Sequence, residues 1–319
     1  MIQRMLYKKI AVATSLLLVI LMLYLIPSNK NEIKMEERLE YVYPKEIDTI
    51  YLLDSYDKIS RTEISVNKDD EIEKVKELME GLTINGRKQD KIPNGFKGVL
   101  PIGTKVIDAS LKEGILRINL SKEFNNIKIN MEEKAIEAIT YTLTSIEGVD
   151  KIEILVEGEK LEYLPNSKKQ LPKYLDKKYG INKEYELTTL GDIDSYTVYY
   201  VMNYNEMIYY TPVTKYVNKQ VEDKVKIIID ELASNLAYQS NLMSYLDNNI
   251  KLLDYEIVDN TIKLDFNEAI LSDITSGKIL EEVKYTIGLS LCDELNVKEV
   301  VFIVDDQEIS TFSLKSIEK

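Results

Sequence analysis

Apolar positions recur along this chain at two distinct periods, and the same succession of periods comes twice. Ile72, Val75, Leu78, Met79 and Leu82 are spaced three and four residues apart, as are Val221, Val225, Ile228, Ile229 and Leu232. That spacing gathers an apolar stripe on one side of a helix. A second helix is predicted by Ile136, Ile139, Leu143 and Ile146, and its counterpart by Leu280, Val283, Ile287 and Leu291. Gly148, and Asn296 in the later copy, are suited to left-handed positions that end these helices. Strand-like runs surround them. Thr49 to Leu53 and Thr62 to Val66 flank a turn at Tyr56-Asp57; Thr197 to Val201 and Tyr209 to Val213 flank one at Tyr204-Asn205. Lys105 to Leu111 and Ile115 to Leu120 form a hairpin around Lys112-Glu113-Gly114, and Asp259-Asn260 serves the equivalent turn. Ile152 to Val156 and Val300 to Val304 are almost continuously apolar, so each is predicted to lie inside its sheet.

The two series are copies of one another. KVKELMEGL (74–82) answers KVKIIIDEL (224–232), and residues 105–120 answer 251–266. Tyr141-Thr142-Leu143 pairs with Tyr285-Thr286-Ile287, and 149–161 with 297–309. The order is kept and the offsets stay between 144 and 150, so the pattern is a tandem duplication. Each copy reads β-β-α-β-β-α-β. The expected fold class is α+β: two homologous two-layer sandwich domains, residues 46–165 and 193–313, followed by a tail at 314–319. Residues 166–192 between them are Lys-rich, with six Lys and one Asp in 166–183. They read as a solvated linker, or else as a contact for an anionic polymer or partner.

A different pattern opens the chain. Residues 10–26, Ile10 to Ile26, are an uninterrupted apolar run preceded by Arg4, Lys8 and Lys9. As a helix they would extend roughly 25 Å, close to the hydrocarbon core of a bilayer. No small-x-small cleavage site follows, and no Cys for a lipid. The expectation is a single transmembrane anchor at the cell membrane, with a cytoplasmic tail (1–9), a linker (27–45) and both domains extracytoplasmic, as the preceding basic residues direct.

Composition narrows the chemistry. The 319 residues include no His and one Cys, Cys292, and carry a formal charge of −13. Imidazole bases, His-ligated zinc, intramolecular disulfides and Cys-rich metal sites are therefore excluded, and the acidic balance argues against nucleic acid as a partner. Carboxylate pairs occur at Asp69-Asp70-Glu71, Asp305-Asp306, and Asp265 with Glu268; solvated turn positions account for them better than a two-carboxylate hydrolase cleft. Asp247-Asn248-Asn249 lacks the twelve-residue calcium loop. Gly95 to Gly98 and Pro101-Ile102-Gly103-Thr104 lack the Lys-Ser/Thr of a phosphate loop, and the latter is read as turn geometry before a strand. Asn119-Leu120-Ser121 is a sequon inside a strand, and Cys292 sits beside Leu291 on a helix as a packing residue. No catalytic, cofactor-binding or metal-ligating set is assigned, and no cofactor is expected.

One resemblance adds to this. Leu100-Pro101-Ile102-Gly103-Thr104-Lys105, Gly114, Ile118 to Ser121, Tyr141-Thr142-Leu143 and Val149 to Gly158 resemble the sporulation and spore germination domain called GerMN. The second copy matches more loosely, with Asp247-Asn248-Asn249 and Asp265-Phe266-Asn267 at the variant places. The likeness spans residues 46–311. It implies a non-enzymatic envelope protein of spore formation and germination, similar to the ring-building domains of trans-envelope complexes. Its partners would be other sporulation and envelope proteins or further copies of itself. The rival reading is a peptidoglycan-binding or wall-remodelling accessory; exposed Tyr would have to serve there, since Trp is absent.

Overall fold

The computed structural model describes residues 14–15, 46–66, 70–189, 191–218, 221–234, 241–273 and 277–314. The chain divides into two units, Met1–Pro44 and Lys45–Lys319. Within the first, only the helical Thr14 and Ser15 are described, so the predicted span at 10–26 otherwise lies outside the described residues. Among the described residues no helix is long and apolar enough to cross a membrane.

Lys45–Lys319 holds both repeats. The first begins with a hairpin, β1 (Glu46–Leu53) and β2 (Ile59–Val66), followed by helix α1 (Glu71–Leu82). Asp70 caps that helix by accepting from the Ile72 amide, while Asp69 lies outside the described residues. Val75, Leu78, Met79 and Leu82 are buried, as their spacing predicts. Next come β3 (Val106–Lys112), β4 (Ile115–Leu120), α2 (Glu132–Leu143), β5 (Lys151–Val156) and the short β6 (Glu159–Lys160). These strands form one sheet in the order β3-β4-β5-β6, with β4 and β5 parallel across the α2 crossover. The β3–β4 turn has Glu113 at φ 53° and Gly114 at φ 74°, the left-handed pair of a two-residue hairpin. A Cβ on Gly114 would also lie 2.3 Å from Asp150 Oδ2.

After β7 (Glu184–Glu186), the second repeat gives β8 (Asp194–Tyr204), β9 (Met207–Val217) and α3 (Lys224–Ala233). The sheet β10 (Leu252–Val258), β11 (Thr261–Phe266), β12 (Glu299–Val304), β13 (Gln307–Ser313) follows, with α4 (Glu281–Leu295) crossing between β11 and β12. Asn296 ends α4 in the left-handed conformation foreseen for it. Gly148 is also left-handed, at φ 84°, but lies beyond the Thr144 cap of α2 and not at the helix end. β5 and β12 are flanked on both sides, as their apolar runs predict.

Three features differ from the sequence reading. First, the hairpins do not stay within their own repeats. β2 bridges β9 antiparallel at Arg61 and Tyr210, so β1, β2, β9 and β8 share one sheet, which β7 joins at the far end of β9. The hairpin edges are polar and need a backbone partner, and each finds it in the other repeat.

Second, residues 166–192 are not a solvated linker. Leu171, Leu175 and Ile181 are buried, and Leu175 exchanges two backbone hydrogen bonds with Ile152 on the edge of β5. Three of the six lysines find carboxylates within the chain: Lys169 pairs with Glu133, Lys177 with Asp293 and Lys183 with Glu137.

Third, the helix pairing is shifted by one turn. The Tyr51 amide donates to Thr142 Oγ1, and the equivalent Tyr199 amide donates to Ser290 Oγ. Thr142 therefore corresponds to Ser290, and Leu143 to Leu291. A four-residue slip returns to nearly the same helix face, so apolar spacing alone does not distinguish the two alignments.

Candidate functional site: the seam between the repeats

The shared sheet brings equivalent side chains of the two repeats together. Tyr51 on β1 and Tyr199 on β8 belong to strands separated by β2 and β9, yet their phenolic oxygens lie 2.7 Å apart. Tyr199 donates its only hydroxyl proton to Asp293 Oδ2 on α4, so Tyr51 is the donor between the two rings. Asp293 also holds Lys177 Nζ at 2.5 Å, and the Lys177 carbonyl accepts from Tyr141 OH at 3.1 Å. Tyr141 packs edge-on to Tyr51, with 5.4 Å between centroids. Burial, then the Asp293 charge, raise the Tyr199 hydroxyl well above the usual tyrosine range. These phenols remain protonated donors.

Above the β2–β9 bridge the contacts are again polar. Asp54, 2% exposed, accepts the Tyr56 and Lys58 amides on one oxygen and Ser60 Oγ and Tyr209 OH on the other. Thr211 Oγ1 lies 2.6 Å from Ser60 Oγ; the Ser60 proton is committed to Asp54, so Thr211 donates. Asn182 closes the joint from the segment between the repeats. Its amide group donates to the carbonyls of Ile59 and Pro212, its oxygen accepts from the Ile59 amide, and its own amide donates to Glu137. One residue, through its side chain and its backbone amide, thus fastens both hairpins to α2.

Two clefts open on this seam. One, of about 500 Å³, is lined by Tyr141, Lys177, Asp194, Lys224, Asp293 and Glu294 among others. The other, of about 520 Å³, is lined by Asp57, Glu133, Lys134, Glu137, Lys169 and Lys183 among others. Each of these lysines already faces a carboxylate. Lys224 meets Glu294 at 2.8 Å, Lys183 meets Glu137 at 3.3 Å, and Lys134 pairs with Asp57. Burial pushes the Glu137 carboxyl up and the Lys183 amine down, each against the attraction of the other. A perturbed buried pair in a cleft can mark a reactive site. This pair is tied instead to the Asn182 amide and the Tyr179 ring, 3.6 Å beneath Lys183. It acts as a structural clasp.

Cys292, Lys169, Lys177, Lys178 and Lys183 reach the seam clefts, while the carboxylate pairs and loop motifs singled out in the sequence stand apart from them. Asp305 and Asp306 are exposed left-handed turn residues between β12 and β13. Asp265 lies on β11 and Glu268 in the short turn beyond it. Asp247 accepts from the Asn249 amide within its own turn. Pro101 accepts from the hydroxyl and amide of Thr104, and Gly103 is left-handed at φ 85°. Asn119 accepts from the Gly158 amide, which holds the β5–β6 turn against β4. Cys292 is 3% exposed, and burial together with Asp293 pushes its thiol up to about 12, which keeps it a neutral packing group. Among the described residues no group of three His, Cys, Asp or Glu side chains is placed to hold a metal ion. The Tyr51–Tyr199 contact and the Asn182 clasp were not foreseen. The only trace of the first in the sequence is the equivalence of two tyrosines in the duplicated strands.

Tandem α+β repeats that share a central sheet, joined by a seam of hydrogen bonds and ion pairs between their polar groups, define a duplicated structural module. The family model described as Germane, sporulation and spore germination, matches residues 49–162 and 197–310, and the chain belongs to that family. It is 31% identical over 255 residues to the spore germination protein GerM of Bacillus subtilis, covering 79% of this chain and 69% of that one. The solved tandem GerMN domains of the sporulation protein GerM from Bacillus subtilis superpose with a TM-score of 0.73 at 29% identity. That match covers 82% of this chain and 92% of the other.

Proposed function

We propose that this protein is a non-enzymatic, membrane-anchored scaffold of the cell envelope, which docks other envelope proteins during spore formation and germination. The observation that carries this reading is the state of the seam. Asp293 is spent on Lys177 and Tyr199, Glu137 on Lys183 and Asp54 on Ser60 and Tyr209, and each repeat keeps an open sheet face for contact. The apolar run at 10–26 supplies the anchor and leaves Lys45–Lys319 outside the membrane. The test is deletion of the gene in its endospore-forming host, with capture of cross-linked partners on the restored protein. Loss of germination-competent spores, with envelope proteins cross-linked to Lys45–Lys319, is the expected result. Retention on purified peptidoglycan in the absence of other proteins would give the role to wall binding instead. Turnover of a wall fragment by the purified chain would overturn the non-enzymatic reading.

A further inference from the structure

Each four-stranded sheet buries one face against its helices and leaves the other open. On β4, Leu116, Ile118 and Leu120 are buried, so Ile115, Arg117 and Asn119 lie on the open side together with their register partners. The charged residues of that face are Lys112, Arg117, Lys151 and Lys160 against Asp108 and Glu153. Lys173 adds to it, since it and Lys160 both sit over the Tyr174 ring, at 4.8 and 5.8 Å.

On β11, Ile262, Leu264 and Phe266 are buried, and the open face carries Asp254, Glu256, Asp265, Glu299 and Glu308 against Lys263 alone. Equivalent surfaces of the two repeats thus have opposite sign, positive on the first and negative on the second. Lys112, Arg117, Lys151, Glu256, Glu299 and Glu308 are all exposed.

We infer that the occupant of the positive face is the negative face of a second copy of this chain, joined head to tail. The inference deepens the scaffold reading and rests on it only in taking the open faces as contact surfaces. Charge complementarity carries it. The chain as a whole is acidic, at −13, so two copies repel at long range. At physiological salt the Debye length is about 8 Å, so apposed faces are governed by their own charges and not by the total. The like-with-like arrangement, either face on itself, sets equal signs together and is disfavoured, which fixes the contact as heterologous.

The test uses the full-length chain in non-ionic detergent with a zero-length carbodiimide cross-linker, which joins lysines to carboxylates in contact. Wild type should give dimers and larger species whose linked peptides join Lys112 or Lys151 to Glu256 or Glu299, and these should vanish in about 1 M NaCl, where the Debye length is about 3 Å. One variant, Arg117→Glu with Lys151→Glu, and another, Glu256→Lys with Glu299→Lys, should each fall to background alone. Mixed, they should recover cross-linked dimers, because the first keeps its negative face and the second its positive one. Association through the apolar run would not respond to these reversals, so cross-linking that survives them overturns the proposal. A wild type that stays monomeric overturns it as well, and leaves docking of other proteins to the capture experiment above. Retention of the wild type on immobilised polyphosphate with no chain-to-chain links would assign the positive face to a polyanion and refute self-docking.

Discussion

Tyr51 donates its hydroxyl hydrogen to Tyr199, 2.7 Å away, and Tyr199 passes its own to Asp293. The two rings are equivalent in the duplicated sequence and inequivalent in the hydrogen-bond chain. Tyr51→Phe removes one donor and leaves Asp293 satisfied, so it should cost about 0.5–1.5 kcal/mol. Tyr199→Phe strips a donor from a carboxylate that is 7% exposed and also leaves Tyr51 without an acceptor, and should cost about 1–3 kcal/mol more. Urea unfolding of the two variants checks the order; equal losses would show that the chain of donors is drawn the wrong way.

Separated repeats should be weaker than the tandem. Residues 46–192 and 193–313 each retain two helices and a four-stranded sheet, but each loses the other's half of the central sheet. The expected outcome is a lower melting temperature for each half than for the pair, and recovery on mixing, followed by thermal melting and gel filtration. Halves as stable as the tandem would show the seam to be energetically idle.

Glu132 gives the protein an acid limit. Burial alone would raise its carboxyl, but donors from Ser167 and Asn166 outweigh that and hold it below the usual 4.5. A carboxyl lowered in the folded state adds stability that is complete above its unfolded value and disappears as pH falls through the folded one. Stability should therefore drop as pH falls from about 4.5. Glu132→Gln should flatten that part of the profile while costing about 1–3 kcal/mol at neutral pH. Denaturant melts between neutrality and acid measure both effects.

The one-turn correction selects the proper pair for a packing test. Leu143→Ala and Leu291→Ala occupy equivalent, fully buried sites and should each cost about 2–5 kcal/mol. Asp305→Asn with Asp306→Asn should stay within about 0.5 kcal/mol, because both are exposed and Asn tolerates their left-handed backbone. Spore defects should follow the leucine variants and spare the Asn pair. A sporulation defect in an Asn pair of normal stability would give those acids a direct role.

The anchor can be checked by washing. Membranes carrying the full chain should retain it, N-terminal residues included, through high salt and alkaline carbonate, since an apolar run of this length holds far more firmly than surface charge. A soluble chain beginning after Asn29 would show cleavage instead.

Local periodicity made most of the elements readable. The stripe from Val75 to Leu82, the turn at Glu113-Gly114 and the buried run of β12 each write their geometry within a dozen residues. Non-local polar pairing does not. Ser60 and Thr211 meet across 151 positions, and neither differs from an ordinary strand hydroxyl. Lys169, Lys177 and Lys183 read as solvated because their partners, Glu133, Asp293 and Glu137, sit on helices where charged residues are expected to face water. The opposed charges of the two open faces become visible only when strand register says which residues share a side.

The bridge between β2 and β9 also sets an order of events during synthesis. Ser60 leaves the ribosome about 150 residues before Thr211, the partner that will cover it. At roughly 5–20 residues per second that is an interval of about 8–30 s. Through it the first hairpin presents a bare edge. An apolar edge held open so long would invite pairing with neighbouring nascent chains; Ser60, Arg61 and the carboxylate of Asp54 keep it hydrated until its own partner arrives.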